Sequence, residues 1–183
     1  MPADARHRLT AWAADALTFG RAVVAIVMPG VLAAGNLDAA AMLVASAWCS
    51  DALDGRLARA STHETRLHGV DLVVDTAVGV GVLLGLALAG YAPVLPVVLA
   101  VAALGGAFLV TGADALGMGL QAVAYAWFMA TLWAAGAASR WLLPCVVVAL
   151  LVLEFERFTT VVAPGFISGV AALGRRVARR GRR

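Results

Sequence analysis

Charge is what this chain has least of. Only 14% of its 183 residues are Asp, Glu, Lys or Arg, 62% are hydrophobic, and the mean hydropathy is +0.90. That balance excludes an ordinary water-soluble domain and marks an integral membrane protein. Lysine is absent: all 14 basic residues are arginine, which fits a GC-rich genome better than a chemical requirement. The 2 cysteines, Cys49 and Cys145, lie in separate apolar runs and read as packing residues, so neither a redox compartment nor a thiolate metal site follows from them. Long polar linkers, internal repeats and low-complexity tracts are missing too. The loops therefore leave no room for an extramembrane domain between helices, and any chemistry belongs at or within the membrane.

What is present is a succession of apolar runs. They predict an all-α polytopic membrane protein of about six transmembrane helices in one bundle, each of roughly 20 residues, the length that crosses a hydrocarbon core of about 30 Å. The expected spans are 16–35, 39–60, 68–90, 93–113, 117–138 and 141–162. Turn signals separate them at Gly35-Asn36, Gly90-Tyr91-Ala92-Pro93, Gly112-Ala113-Asp114 and Ser139-Arg140. The domain reading is a single membrane unit, with 1–15 as an N-terminal segment, 16–162 as the bundle and 163–183 as a basic tail.

With an even number of spans, Arg6, Arg8, Arg56, Arg59, Arg66 and the six arginines from Arg175 to Arg183 fall on one side, and Arg140 falls on the other. The positive-inside rule makes the crowded side cytoplasmic. Both termini are then expected in the cytoplasm, for example beneath a bacterial inner membrane. An arginine-rich end directly after a span fits anionic lipid headgroups better than nucleic acid, and no nucleic-acid partner is expected.

Against this apolar background stand Asp51, Asp54, Asp71 and Asp75. Helical spacing of three or four residues puts Asp51 and Asp54 on one face and Asp71 and Asp75 on another. Four clustered carboxylates in a low-dielectric setting repel one another unless cations compensate them. Hard oxygen ligands suit Mg²⁺, Mn²⁺ or Ca²⁺, and Mg²⁺ suits phosphate chemistry.

The run Asp51-Ala-Leu-Asp54-Gly55-Arg-Leu-Ala58-Arg59, followed by Asp71-Leu-Val-Val-Asp75, resembles the signature of the CDP-alcohol phosphatidyltransferase family, D-x2-D-G-x2-A-R-x8-G-x3-D-x3-D. The segment between Arg59 and Asp71 is one residue shorter than that pattern. The family glycine falls on Leu67 or His68, and the nearest real glycine is Gly69. A loop over 61–66 that is not helical would absorb the deletion, whereas inside a helix it would rotate everything beyond by about 100°. A second stretch, Asp15-Ala-Leu17-Thr18-Phe-Gly-Arg21, is similar to the family's first-helix pattern N-x-L-T-x-x-R, with Asp in place of Asn. It also argues for a retained first helix over a cleaved signal peptide.

The resemblance implies an integral membrane enzyme of phospholipid biosynthesis. It would transfer a phosphatidyl group from CDP-diacylglycerol to a small polar alcohol and release cytidine monophosphate, using two Mg²⁺ or Mn²⁺ ions. On that reading Asp51, Asp54 and Asp71 are metal ligands, and Asp75 is a ligand or the base that deprotonates the alcohol. Gly55, Ala58, Arg59, Thr18 and Arg21 would contact the nucleotide, and the protein would be a homodimer. The acceptor is not named by any motif; Arg66, Glu154 and Arg157 are candidates for its binding. Transfer of phosphocholine or phosphoethanolamine from a CDP-alcohol to diacylglycerol is the alternative enzymatic reading. A cation transporter or a non-catalytic family member is the alternative of another class.

Other features read as structural. Arg66 also reads as a topology-setting loop charge, and His63 and His68 as solvated loop residues. Glu154 and Arg157 share a face and could simply pair. Gly81 and Gly85 form a G-x-x-x-G that permits a close helix contact, either within the chain or at a dimer seam.

Overall fold

Helices begin and end where the chain's few polar and glycine positions allow. The computed structural model describes residues 3–60 and 70–180, with side chains over 12–56, 70–172 and 174–175. Helix α1 (Ala3–Ala33) turns at Gly35, whose φ of 74° suits glycine alone. Asn36 then caps α2 (Leu37–Ala60) by accepting a 3.1 Å hydrogen bond from the Ala39 amide. Helix α3 (Asp71–Leu88) closes in the same way at Gly90, with φ 77°.

Helix α4 (Val94–Thr111) contains a π turn at Val101–Gly105 and is followed by α5 (Asp114–Ala134). A 3-10 turn at Ala138–Trp141 leads into α6 (Leu142–Leu153). Beyond a break at Glu154 come a single turn at Phe155–Arg157, a π turn at Phe158–Val162 and α7 (Ala163–Arg180). Among the described residues there is no strand, so the chain is all-α as expected.

Among the described residues, four helical stretches are long and apolar enough to cross a membrane: Trp12–Ala33, Asp71–Leu88, Val94–Thr111 and Asp114–Ala134. The other two expected spans differ for physical reasons. Helix α2 has 24 residues but carries Asp38, Asp51, Asp54, Arg56 and Arg59. The stretch Ala138–Leu153 is apolar but short, because the helix expected over 141–162 stops at Glu154, where φ is −117° and ψ 22°. The expected N-terminal segment 1–15 is helical from Ala3, and the expected basic tail is α7 over most of its length. The expectation that 61–66 is not helical lies outside the described residues.

The core forms where α1 packs against α2 and α3, with α5 closing the far side of α3 and α6 the far side of α2. Met28, Leu32, Val44, Val82, Leu83, Leu86, Leu120, Phe128 and Leu132 are buried there. The G-x-x-x-G contact is internal. Pro29 has no N–H to offer the Ala25 carbonyl four residues earlier. At Gly81 the backbone of α3 comes so near that an added methyl carbon would sit 2.7 Å from that same carbonyl oxygen. At Gly85 such a carbon would meet Leu32 at 2.7 Å and the Pro29 Cα at 3.1 Å. A proline on one helix and two glycines on the next thus fit together.

At the opposite end from the aspartate cluster, Asp38 accepts a 2.8 Å hydrogen bond from the Ser139 amide and ties the start of α2 to the turn before α6. Ser139, through its side chain first and its amide second, holds the Asp38 carboxyl below its usual pKa. Its stabilisation is present above the ordinary carboxylate range and is lost as pH falls through the lowered value.

Replacing Gly81 by Ala should lower thermal stability in detergent by about 1–3 kcal/mol, the usual cost of overpacking. Gly20→Ala, on α1 with open space around it, should not lower it. Equal melting of G81A and wild type would contradict the close α1–α3 contact.

Candidate functional site

Thr18 and Arg21 lie one turn apart on α1, Asp51 and Asp54 one turn apart on α2, and Asp71 and Asp75 one turn apart at the start of α3. The Gly81 and Gly85 contacts hold α3 against α1, and α2 packs on the other flank of α1. The three helices therefore bring all six side chains to one place.

Arg21 is the hub. Its Nη1 donates to Asp51 Oδ1 at 3.1 Å and to Asp75 Oδ1; its Nη2 donates to Asp54 Oδ2 and, at 3.4 Å, to Asp71 Oδ1. Nη2 also reaches Thr18 Oγ1 at 3.3 Å, and the Thr18 hydroxyl donates to Asp71 Oδ1 at 2.8 Å. The guanidinium side chain is 1% exposed, whereas the carboxylates grade from 9% at Asp54 through 21% at Asp75 and 29% at Asp71 to 50% at Asp51. The cluster is thus closed beneath by Arg21 and Asp54 and open beside Asp51.

The burial of Arg21 follows from its company. A charged guanidinium inside an apolar helix is costly unless carboxylates meet it, and four like-charged carboxylates are costly without a cation. Each makes the other tolerable. Among the described residues, Arg21 is the cation that meets all four.

The neighbours on α2 and α5 were not legible as site residues. Tyr125 lies close enough to Asp75, Asp51 and Arg21 to feel their charges, and its ring meets Trp48 edge-on with centroids 4.9 Å apart. Gln121, one turn before it, donates to Thr76 Oγ1 at 3.3 Å, one residue along α3 from Asp75. Their sequence signal was a polar pair at i and i+4 in the middle of a largely apolar helix.

The remaining candidates are placed as follows. Gly55 follows Asp54 directly on α2 and is half-buried. Ala58 and Arg59 lie in the last turn of α2, and their side chains are outside the described residues, as is the whole of Arg66 together with His63 and His68. Glu154 lies at the break after α6, where it accepts a 2.6 Å hydrogen bond from Arg56 Nε, while Arg56 Nη2 donates to the Leu153 carbonyl at 3.3 Å. Arg157 is exposed in the short turn that follows. None of these last three joins the aspartate cluster through a described contact.

Among the described residues, no group of three or more His, Cys, Asp or Glu is arranged to hold a metal ion as it stands, because the four carboxylates turn toward Arg21. The donor set nonetheless fits a hard divalent cation. Every candidate ligand atom is a carboxylate oxygen, and a cation already sits at the focus. Comparison with family models, curated protein sequences and solved structures finds no match to this chain.

Asp54→Asn keeps the side-chain shape while removing one of the repelling charges. In metal-free detergent solution this variant should melt at or above the wild-type temperature. A drop of several degrees would mean that Asp54 stabilises the fold through its charge and that repulsion within the cluster is not the dominant force.

Proposed function

We propose that the chain is a metal-dependent membrane transferase of the CDP-alcohol phosphatidyltransferase type. The observation that carries this reading is the meeting of two separate sequence patterns in one site: Thr18 and Arg21 from the first helix lie in hydrogen-bond contact with the aspartates of the second and third. A family signature split between α1 and the α2–α3 pair would need that encounter.

On this reading Asp51, Asp54 and Asp71 hold two Mg²⁺ or Mn²⁺ ions, with Asp75 as a further ligand or as the base. Bound ions would neutralise phosphate charge and hold the attacking and leaving oxygens. The residues of the chain do the rest. Asp75 takes the proton of the acceptor hydroxyl, whose oxygen bonds to the phosphatidyl phosphorus as the bond to cytidine monophosphate breaks. Gly55 offers the nucleotide an approach to the α2 backbone unobstructed by a side chain. Arg59 supplies a fork for phosphate oxygens, and Thr18 orients Asp71 through its hydroxyl.

Six spans are part of the proposal, with α2 crossing as a polar-ended helix shielded by its neighbours and α6 with the turns after it completing the sixth. Both termini and the site then face the cytoplasm of a bacterial inner membrane, the arginines of the tail meet anionic lipids, and the working unit is a homodimer. A second reading has one observation in its favour: Arg21 engages all four carboxylates, as it would in a non-catalytic member that keeps the cluster as a structural ion pair. One assay separates the two.

Purified protein incubated with CDP-diacylglycerol, Mg²⁺ or Mn²⁺ and a panel that includes glycerol 3-phosphate, inositol phosphate, serine and choline should yield a new phospholipid and cytidine monophosphate. Changing Asp51, Asp71 or Asp75 to Asn should cut turnover by at least about 100-fold, more than an outer-shell change would. Wild-type turnover in any of the three would remove that residue from the machinery. No product with any acceptor, from protein that binds metal, would favour the non-catalytic reading.

Orientation has its own test. In a protein with Cys49 and Cys145 replaced, a cysteine at Pro93 or Gly136 should react with an impermeant thiol reagent from outside intact cells, and one at Asp114 should not. The reverse pattern would place the aspartates on the outer face, away from cytoplasmic nucleotides.

A further inference from the structure

Arg21 is bound by charge more than by fit. The strong arrangement for a guanidinium is a fork, in which two parallel N–H groups meet both oxygens of one carboxylate. Arg21 forms none. It spreads Nη1 over Asp51 and Asp75 and Nη2 over Asp54 and Asp71, one oxygen from each carboxylate, and its buried Nε has no hydrogen-bond partner among the described residues. An orphaned buried N–H is a standing cost. The guanidinium therefore sits where a cation is needed, in a geometry that does not use its own donors well.

The charges add a second argument. Two divalent ions would balance four ionised carboxylates in full. Arg21 would then be a surplus cation at that site. A metal ion that takes the oxygens now facing Arg21 would also repel the guanidinium at close range. The two cations have overlapping ligands and like charge, so they exclude one another.

We infer that Arg21 is the resident counter-ion of the aspartate cluster and that divalent metal displaces it, so that metal and guanidinium compete for the same four carboxylates. This rests on the proposed function only in taking the cluster to be the metal site. It adds that α1 stabilises the metal-free fold through Arg21, and that metal binding releases the guanidinium to turn toward an anionic ligand. In this role Arg21 is a positioning residue before it is a ligand contact. Arg56 supplies a built-in control, since it lies only two residues beyond Asp54 yet is engaged by Glu154 and is 48% exposed.

The test uses the full chain in detergent, purified with Mn²⁺ and then stripped with chelator, as wild type, R21Q, R21K and R56Q. Mn²⁺ binding is read from the loss of the free-ion paramagnetic resonance signal, and stability from thermal melts with and without Mn²⁺. Without metal R21Q should melt well below wild type, or unfold on chelation, and saturating Mn²⁺ should close most of that gap.

Its Mn²⁺ dissociation constant should be tighter than that of wild type by about 10-fold or more, a difference of about 1.4 kcal/mol. R21K, which keeps one charge without the spread of the guanidinium, should lie between the two. R56Q should stay within about 2-fold of wild type, because an exposed and screened charge acts weakly. Equal or weaker Mn²⁺ binding by R21Q, a gap in melting temperature that metal does not close, or the same tightening in R56Q would overturn the inference and leave the proposed function standing. No Mn²⁺ binding by wild type, R21Q or R21K would overturn both.

Discussion

One guanidinium, buried where α1, α2 and α3 converge, holds together four carboxylates that would otherwise drive the last two helices apart. Arg21 has 1% of its side chain exposed, and its hydrogen bonds reach every aspartate of the cluster. Inside a protein a lone charge of either sign is costly, and removing one partner of a buried pair costs more than the pair contributes. The polar end of the bundle is therefore a mutual dependence. The aspartates permit an arginine in an apolar helix, and the arginine permits four aspartates within reach of one another.

The apolar half of the bundle sets how near those groups come. Side chains at Gly81 or Gly85 would push α3 away from Ala25, Pro29 and Leu32. Because Asp71 and Asp75 lie on the same helix about two to four turns earlier, that displacement would carry them away from Arg21 and Thr18. Packing at the glycine contact and electrostatics at the aspartate cluster are thus coupled along a single helix. In a membrane, where burial of apolar surface does not drive helices together, such close backbone approach and interhelical hydrogen bonds are what remain to hold them.

Much of this was legible in the residues. The all-α class, the turn at Gly35-Asn36 and the pairing of aspartates on two helix faces follow from hydropathy, glycine chemistry and helical period. The central place of Arg21 was not, because a sequence pattern presented it as a nucleotide contact and gave no measure of its distance from Asp51 or Asp75. Nor could spacing show that Gly81 faces the carbonyl which Pro29 leaves without its usual donor, since that is a contact between helices. The end of α6 at Glu154 was hidden for a different reason. Glu154, Glu156 and Arg157 interrupt the apolar run, but apolar residues resume beyond them, and the contacts of Arg56, some hundred positions earlier, with the Leu153 carbonyl and the Glu154 carboxylate cannot be read from spacing. Tyr125 and Gln121 escaped notice because nothing in an apolar helix says which face meets a charged neighbour.

The central claim is that the aspartates of α2 and α3 form one site for a pair of divalent ions. Paramagnetic resonance of the purified protein loaded with Mn²⁺ tests it most directly. Two ions per chain with a spin-coupled spectrum, as expected of metals roughly 3.5–4 Å apart, is the predicted result. A stoichiometry of one uncoupled ion, or no bound Mn²⁺, would contradict it.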